Sequence, residues 1–378
     1  MIRSLDTHEK VELLVGAACA ESSRFEPASP ATRDFAGEVF LAKARPRNVP
    51  LLKVLLSNAC QNDCAYCATR ASASVRRCSL SPDELARSFD LMRRSGLVEG
   101  LFLSSGLCGD AVRTQDRLLD TVEIVRSRYG FQGYVHLKIM PGATADQVER
   151  AGLIADRVSV NLEAPNPERL AMIAPDKQFG NLLDLVGRIG RLQSRRVGYA
   201  TAGPTTQFVA GSAGESDREL LSCAGMLYRR HGLRRAYYSG FRPVAGSPLE
   251  EVPPMSLSRE HRLYQADALL RQYGFSAEEM AFDDSGGLDG RAEPKLAWAL
   301  RHPEAFPVEV NDADRRTLLR IPGIGPAGAR RVIEARRQAR LRDLGQLERL
   351  GVRAEACAPF VLLAGRRPPM QATLPMRW

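Results

Sequence analysis

The chain has 378 residues, 44% hydrophobic and 26% charged, which is enough for a packed core and suits one large domain with a smaller companion. It contains no run of about 18 apolar residues, which excludes a transmembrane helix and leaves no membrane contact to expect. The start, MIRSLDTHEKVELLVGAACAE, carries early acids where a secretory signal would be basic and then apolar, so the cytoplasm is the expected location.

The net charge of +9 is unevenly placed. Residues 315–378 hold 14 arginines against 4 acids, a net +10, while the other 39 basic and 40 acidic residues come to −1. A basic segment on a neutral body is the pattern of a polyanion-binding appendage. The bland alternative is a solvated arginine-rich surface. Eight cysteines are present, at 19, 60, 64, 67, 78, 108, 223 and 357. Three of them fall within eight residues, which points to one metal site among scattered buried thiols, not to a disulfide framework.

Residues 1–48 are expected to form a helix near Thr7–Cys19 and a polar extension. From Leu51 a strand–helix rhythm begins. LLKVLLS (51–57) reads as a strand. Ser81 and Pro82 then open a helix, as N-cap and first helical residue. Further strands are expected at 100–105, 134–140, 157–163, 205–211 and 235–241. Helices follow them near 115–129, 144–154, 181–194, 216–231 and 258–273. Six strands alternating with six helices predict a parallel α/β sheet with right-handed crossovers, either doubly wound or an open barrel. Residues 49–274 form this domain and 275–310 a connector. Residues 311–365 form a small all-α domain, with two helices around the turn IPGIGPAG (321–328), and 366–378 a disordered tail.

Directly after the first strand, Cys60-Gln-Asn-Asp-Cys64-Ala-Tyr66-Cys67 gives three thiolates at C-x3-C-x2-C spacing. Such a set binds three irons of a 4Fe–4S cubane and leaves the fourth open. Tetrahedral zinc is the competing reading, but it asks for a fourth Cys or His at ligand spacing, and Cys78 is the nearest.

This motif, with Tyr66 just before the last cysteine, resembles the radical S-adenosylmethionine (SAM) superfamily. The resemblance covers about residues 50–250 and implies a partial (β/α)6 TIM-type barrel with a 4Fe–4S cluster and SAM as cofactors. It also implies an electron donor such as flavodoxin or ferredoxin. In this family Ser104, Ser105 and Gly106 would meet the SAM amino group, although the usual acid is missing. Ser159, Asn161 and Glu163, alternating on one strand face, would hold the ribose and methionine moiety. Gly211 and Gly214 would pack on the adenine, and Arg242 belongs to the sixth-strand signature. Of the remaining polar residues, Cys108 and Lys138 are weak catalytic candidates. Cys108 lies at the reactive end of a barrel and could donate hydrogen, with a plain thiol as the alternative. Lys138 and His136 share a strand face and could reach into the barrel or simply pack.

Leu319-Arg-Ile-Pro-Gly323-Ile324-Gly325-Pro-Ala-Gly-Ala resembles the helix–hairpin–helix motif of DNA-binding and repair proteins. Gly323 and Gly325 would let the backbone approach a phosphate, and Arg330, Arg331, Arg336 and Arg337 would add charge. A hairpin used for protein contacts is the alternative. The two halves together resemble a group of DNA modification or repair radical SAM proteins, often encoded beside a uracil-DNA-glycosylase-like protein. Phrases such as LLKVLLSNAC, EGLFLSSG and APDK (174–177) fit that group, whose own reaction is unestablished. DNA is therefore the expected partner. RNA modification is an alternative, and so is a non-catalytic redox-sensing DNA-binding protein.

Overall fold

The computed structural model describes residues 5–19, 39–42 and 48–369. The expectations for residues 20–38 and 43–47, and for the tail beyond 369, lie outside the described residues. The chain divides into two compact units, Met1–Glu215 with Met226–Glu260, and Ser216–Gly225 with His261–Trp378.

In chain order the elements begin with α1 (Thr7–Cys19), β1 (Val39–Ala42), β2 (Val49–Leu55), α2 (Pro82–Arg94), β3 (Gly100–Ser104), α3 (Ala111–Ser127) and β4 (Tyr134–Lys138). They continue with α4 (Ala145–Ile154), β5 (Arg157–Ser159), α5 (Pro167–Ile173), α6 (Phe179–Arg195), β6 (Thr205–Ala210), α7 (Asp217–His231) and β7 (Arg235–Gly240). The expected start of α2 is present as a capping box. The Ser81 hydroxyl accepts from Glu84 N at 3.2 Å, and the Glu84 carboxylate accepts from Ser81 N at 2.6 Å.

The strands form one sheet in sequence order, β1 to β7, curled into a half-barrel consistent with a partial TIM barrel. β2 to β7 pair in parallel, as the strand–helix rhythm predicts. β1 is an addition to that prediction. It runs antiparallel along β2, with Val39 opposite Leu52, and comes from the stretch the sequence left unassigned. The outer helices bury their apolar faces: Leu85 and Phe89 from α2, Leu118 and Val122 from α3, and Val186 and Ile189 from α6 are all under 2% exposed. Each such side chain contributes about 1.5–3 kcal/mol of burial.

The fourth expected strand, 157–163, is shorter than predicted. Its ladder with β6 is reduced to one register pair, Ser159 opposite Thr205. Beyond it the Thr206 hydroxyl stands in for the backbone, donating to Val160 O at 2.7 Å and accepting from Leu162 N at 3.1 Å. The chain rejoins β6 at Glu163, which has a left-handed φ of +63°. α5 was also unpredicted. Asn166 caps it by accepting from Arg169 N at 2.9 Å, and Pro167 occupies its first turn.

The second unit holds most of α8 (Leu257–Ala268), then α9 (Pro294–Arg301), β8 (Val308–Glu309), α10 (Arg315–Arg320), α11 (Pro326–Arg336), α12 (Leu344–Arg349), α13 (Ala354–Cys357) and β9 (Val361–Leu362). Its core gathers Leu318, Leu319, Ile321, Ile324, Val332, Leu347 and Val361. Arg320 is buried within it. Its guanidinium lies 3.6 Å from the Phe275 ring centroid and 5.1 Å from that of Trp298, and it pairs with Glu279 at 2.7 Å. That pairing offsets the desolvation of the charge.

Candidate active site

Cys60, Cys64 and Cys67 lie on the loop after β2 and line one cavity of about 790 Å³ at the carboxyl ends of the strands. The loop is held mainly by Arg77. Its guanidinium donates to the carbonyls of Asn58 (2.7 Å), Thr69 (2.7 Å), Arg70 (2.6 Å) and Ala73 (2.9 Å). Asn58 closes the far end, donating to Arg76 O and accepting from Cys78 N. On the β3 side, Gly106 N donates to Ser57 O at 2.7 Å. A Cβ at Gly106 would stand 2.7 Å from Ala59 O, so only glycine lets the two loops approach this closely.

The thiols differ in environment. Leu107 N points at Cys60 Sγ from 3.4 Å, and the Thr69 hydroxyl lies 3.3 Å from Cys67 Sγ. Burial pushes the Cys64 thiol up to about 11, so metal loading must expel its proton. Among the described residues no three His, Cys, Asp or Glu side chains are gathered about one ion position. A cubane does not require that, because each thiolate binds its own iron and the three need only line one cavity. The donor set fits that group.

Asn161 and Glu163 line the same cavity, with Tyr66, Ser105, Gly106, Lys138 and Arg242. Val160 lines it too, against the expected alternation, whereas Ser159, where the strand ends, does not. Ser159 hydrogen-bonds His136 Nε2 at 2.8 Å, beneath the cavity. His136 is a packing residue: its ring stacks on Phe102 at 4.1 Å, and burial holds its pKa well below the usual imidazole range. Of the pair on β4, Lys138 is the one that reaches the cavity. Ser104 is buried outside the lining, and Cys108 follows the lining residue Leu107 without joining it. Gly211 and Gly214 do not line the cavity either. The Glu215 carboxylate accepts from Gly211 N and from Ala213 N, folding that loop onto itself, and Val209 and Gly240 supply the wall instead.

Several contributors went unrecognised in the sequence. Val15, Gly16 and Ala17 of α1 line the cavity. Lys177 does too, and it makes the central polar contacts. Its ammonium is 2.8 Å from Glu163 Oε1 and 3.3 Å from Tyr66 Oη. Both partners of the ion pair are buried, at 10% and 3% side-chain exposure. Although burial opposes both charges, Lys177 keeps the Glu163 carboxyl below its ordinary range, and Glu163 raises the Lys177 ammonium above its own. The segment carrying Lys177 is fastened to the cysteine loop twice more, by Ala65 N to Ile173 O at 2.8 Å and Asp63 N to Asp176 Oδ2 at 2.7 Å.

A second concavity, about 480 Å³, lies in the other unit. Arg315, Arg330 and Arg337 surround it, with Pro326, Ala327, Ile333 and Glu334. The expected hairpin residues divide here. Ile324 is fully buried core. Gly323 is needed for packing, since a Cβ there would sit 2.5 Å from Arg353 O, and a Cβ on Gly325 would sit 3.3 Å from the Tyr273 hydroxyl. Arg331 lies over Gly351. Arg336, expected as a free charge, donates to Val310 O (2.8 Å) and Ala313 O (2.6 Å) and braces the fold. Arg330 remains exposed on the groove.

Residues 54–224 match the radical SAM superfamily. Among solved structures, the chain is similar to the FeFe-hydrogenase maturase HydG from Carboxydothermus hydrogenoformans, with 19% identity, a TM-score of 0.47, and 57% of this chain and 50% of that one covered. It is similar to methylornithine synthase (PylB) at 16% identity and a TM-score of 0.46, covering 57% and 60%. It is also similar to the radical SAM methyltransferase TsrM from Kitasatospora setae at 16% identity and a TM-score of 0.38, covering 52% and 35%. The chain spans about half the length of the HydG it matches. No curated protein matches it. No helix among the described residues is long and apolar enough to cross a membrane.

Proposed function

We propose that this chain, an enzyme of the radical SAM class, directs its radical chemistry at a nucleic acid, with DNA preferred over RNA, in repair or modification. Enzymes of this class use a 4Fe–4S cluster and SAM, which together supply reductive cleavage to methionine and a 5′-deoxyadenosyl radical. The observation that carries the nucleic-acid reading is the arginine groove. Arg315, Arg330 and Arg337 surround one concavity in the segment that holds the whole positive excess of the chain. A phosphodiester backbone is the polyanion such a surface suits. The α10–turn–α11 arrangement supports the helix–hairpin–helix reading, with phosphate contact assigned to the groove and to Arg330 because Gly323 is taken up by packing against Arg353 O.

Within the cavity, Cys60, Cys64 and Cys67 hold the cluster, while Tyr66, Ser105, Gly106, Asn161, Glu163 and Arg242 surround the place for SAM. Lys138 also lines the cavity and is the best candidate to meet substrate. An electron donor of the flavodoxin or ferredoxin kind, and a uracil-DNA-glycosylase-like protein, are the partners this reading implies.

The test is turnover with dithionite, SAM and matched duplex DNA or structured RNA. Formation of 5′-deoxyadenosine should rise on adding DNA, and mass spectrometry of the DNA nucleosides should show a changed base or sugar. Stimulation by RNA alone would move the substrate to RNA. Failure of the iron–sulfur-loaded protein to make 5′-deoxyadenosine under any condition would leave a redox-sensing DNA-binding protein.

A further inference from the structure

We infer that Lys177 is a positioning residue whose ammonium, held by Glu163 and Tyr66 beside the cysteine loop, sets the reduction potential of the cluster. This rests on the cluster reading of Cys60, Cys64 and Cys67 and is independent of the nucleic-acid substrate. Three observations carry it. Lys177 lines the same cavity as the three cysteines. Its ammonium is fixed at 2.8 Å from Glu163 Oε1 and 3.3 Å from the hydroxyl of Tyr66, the residue just before Cys67. Its backbone segment is tied to the cysteine loop at Ala65 and Asp63, so the charge cannot drift away from the loop when the side chain relaxes.

A charge so placed acts on electron affinity. Adding one electron to a thiolate-ligated cluster adds one negative charge, and a nearby cation in a water-poor site favours that state. Glu163 opposes the effect. Of the two, Lys177 is the one whose backbone segment is tied to the cysteine loop. Lys138 and Arg242 also line the cavity and form a background common to the wild type and the Lys177 variants. The arrangement therefore makes the one-electron reduction easier, and it ties the setting of the potential to the residue that contacts SAM in the proposed site.

The experiment is a potentiometric titration of the reconstituted full chain with dithionite as the one-electron donor, read by electron paramagnetic resonance of the reduced cluster. Lys177→Met keeps the aliphatic stem and removes the charge. It should lower the reduced-to-oxidised ratio at a given potential about tenfold, equivalent to about 59 mV for one electron. Lys177→Arg should restore most of the shift. Glu163→Gln, which leaves the ammonium unopposed, should move the midpoint in the opposite, positive direction. An unchanged midpoint in iron-loaded Lys177→Met overturns the inference. Should that variant fail to hold iron, an unchanged or negative shift in Glu163→Gln overturns it instead. If the wild-type protein gives no iron–sulfur spectrum, the cluster reading itself is at fault.

Discussion

Replacing Arg77 by methionine should increase the rate at which an iron chelator strips the reconstituted protein by about a hundredfold or more. The guanidinium donates to four carbonyls at 2.6–2.9 Å, from Asn58, Thr69, Arg70 and Ala73. These span the loop on both sides of the three cysteines. Hydrogen bonds from a charged donor contribute about 1.5–3 kcal/mol each. Even at half the lower figure, four of them come to about 3 kcal/mol, which is about two powers of ten in the population of an opened loop. Methionine preserves the stem, so what is lost is the set of donors. Lysine at 77 should recover only part, because one ammonium cannot span four acceptors. Circular dichroism should stay unchanged, since the loop lies outside the sheet. Alanine at Cys60, Cys64 or Cys67 sets the lower limit, with the cluster gone. A chelation rate equal to wild type would remove Arg77 from the account.

The second large effect concerns the arginine groove. Changing Arg315, Arg330 and Arg337 together to glutamine should weaken duplex DNA binding about a hundredfold at 0.15 M salt. Each phosphate contact contributes about 0.9 to the slope of log K against log salt. Three lost contacts reduce that slope by about 2.7 and cost roughly two powers of ten at this ionic strength. Arg336→Gln provides the contrast. Arg336 donates to Val310 O and Ala313 O, so its loss should lower the stability of the unit and leave the salt slope of the folded protein alone. Fluorescence anisotropy across a salt series reads both quantities. A triple variant with the wild-type slope would place the DNA surface elsewhere.

What the sequence disclosed and what it hid follow from range. The C-x3-C-x2-C loop after a strand, the parallel strand rhythm and the N-cap at Ser81 are written in local sequence, and each appears as expected. Arg77 was invisible for the opposite reason. Its partners lie up to 19 residues away, and nothing in the loop composition marks one arginine as a clamp. Lys177 was within the quoted phrase APDK, but its meaning depends on Asp63, Ala65 and Glu163, which only the folded chain brings near. α5 was legible in Asn166-Pro167, a cap followed by a first-turn proline. In the run 159–163, Asn161 and Glu163 line the cavity as expected, but Val160 joins them and Ser159 does not, because the strand and its alternation end at Ser159. Period-2 reasoning says which side a residue takes along a strand and is silent on where the strand ends. The hairpin shows a further limit. A glycine that packs against Arg353 O and one that meets a phosphate leave the same mark in sequence.

The Thr206 hydroxyl, standing in for main chain between Val160 and Leu162, makes the junction of β5 and β6 a seam. There the ladder between β5 and β6 holds one register pair, Ser159 with Thr205, and the chain meets β6 again only at the isolated bridge of Glu163 with Phe208, while β6 and β7 pair over six. Cooperative unfolding propagates through continuous ladders, so the half-barrel should open as two blocks. In native-state hydrogen exchange, the amides of β2–β4 and those of β6–β7 should each lose protection as a set, with different opening free energies. Removing the hydroxyl with Thr206→Val should widen that difference, whereas a single common opening free energy for both blocks would mean the hydroxyl couples them as well as a full ladder does.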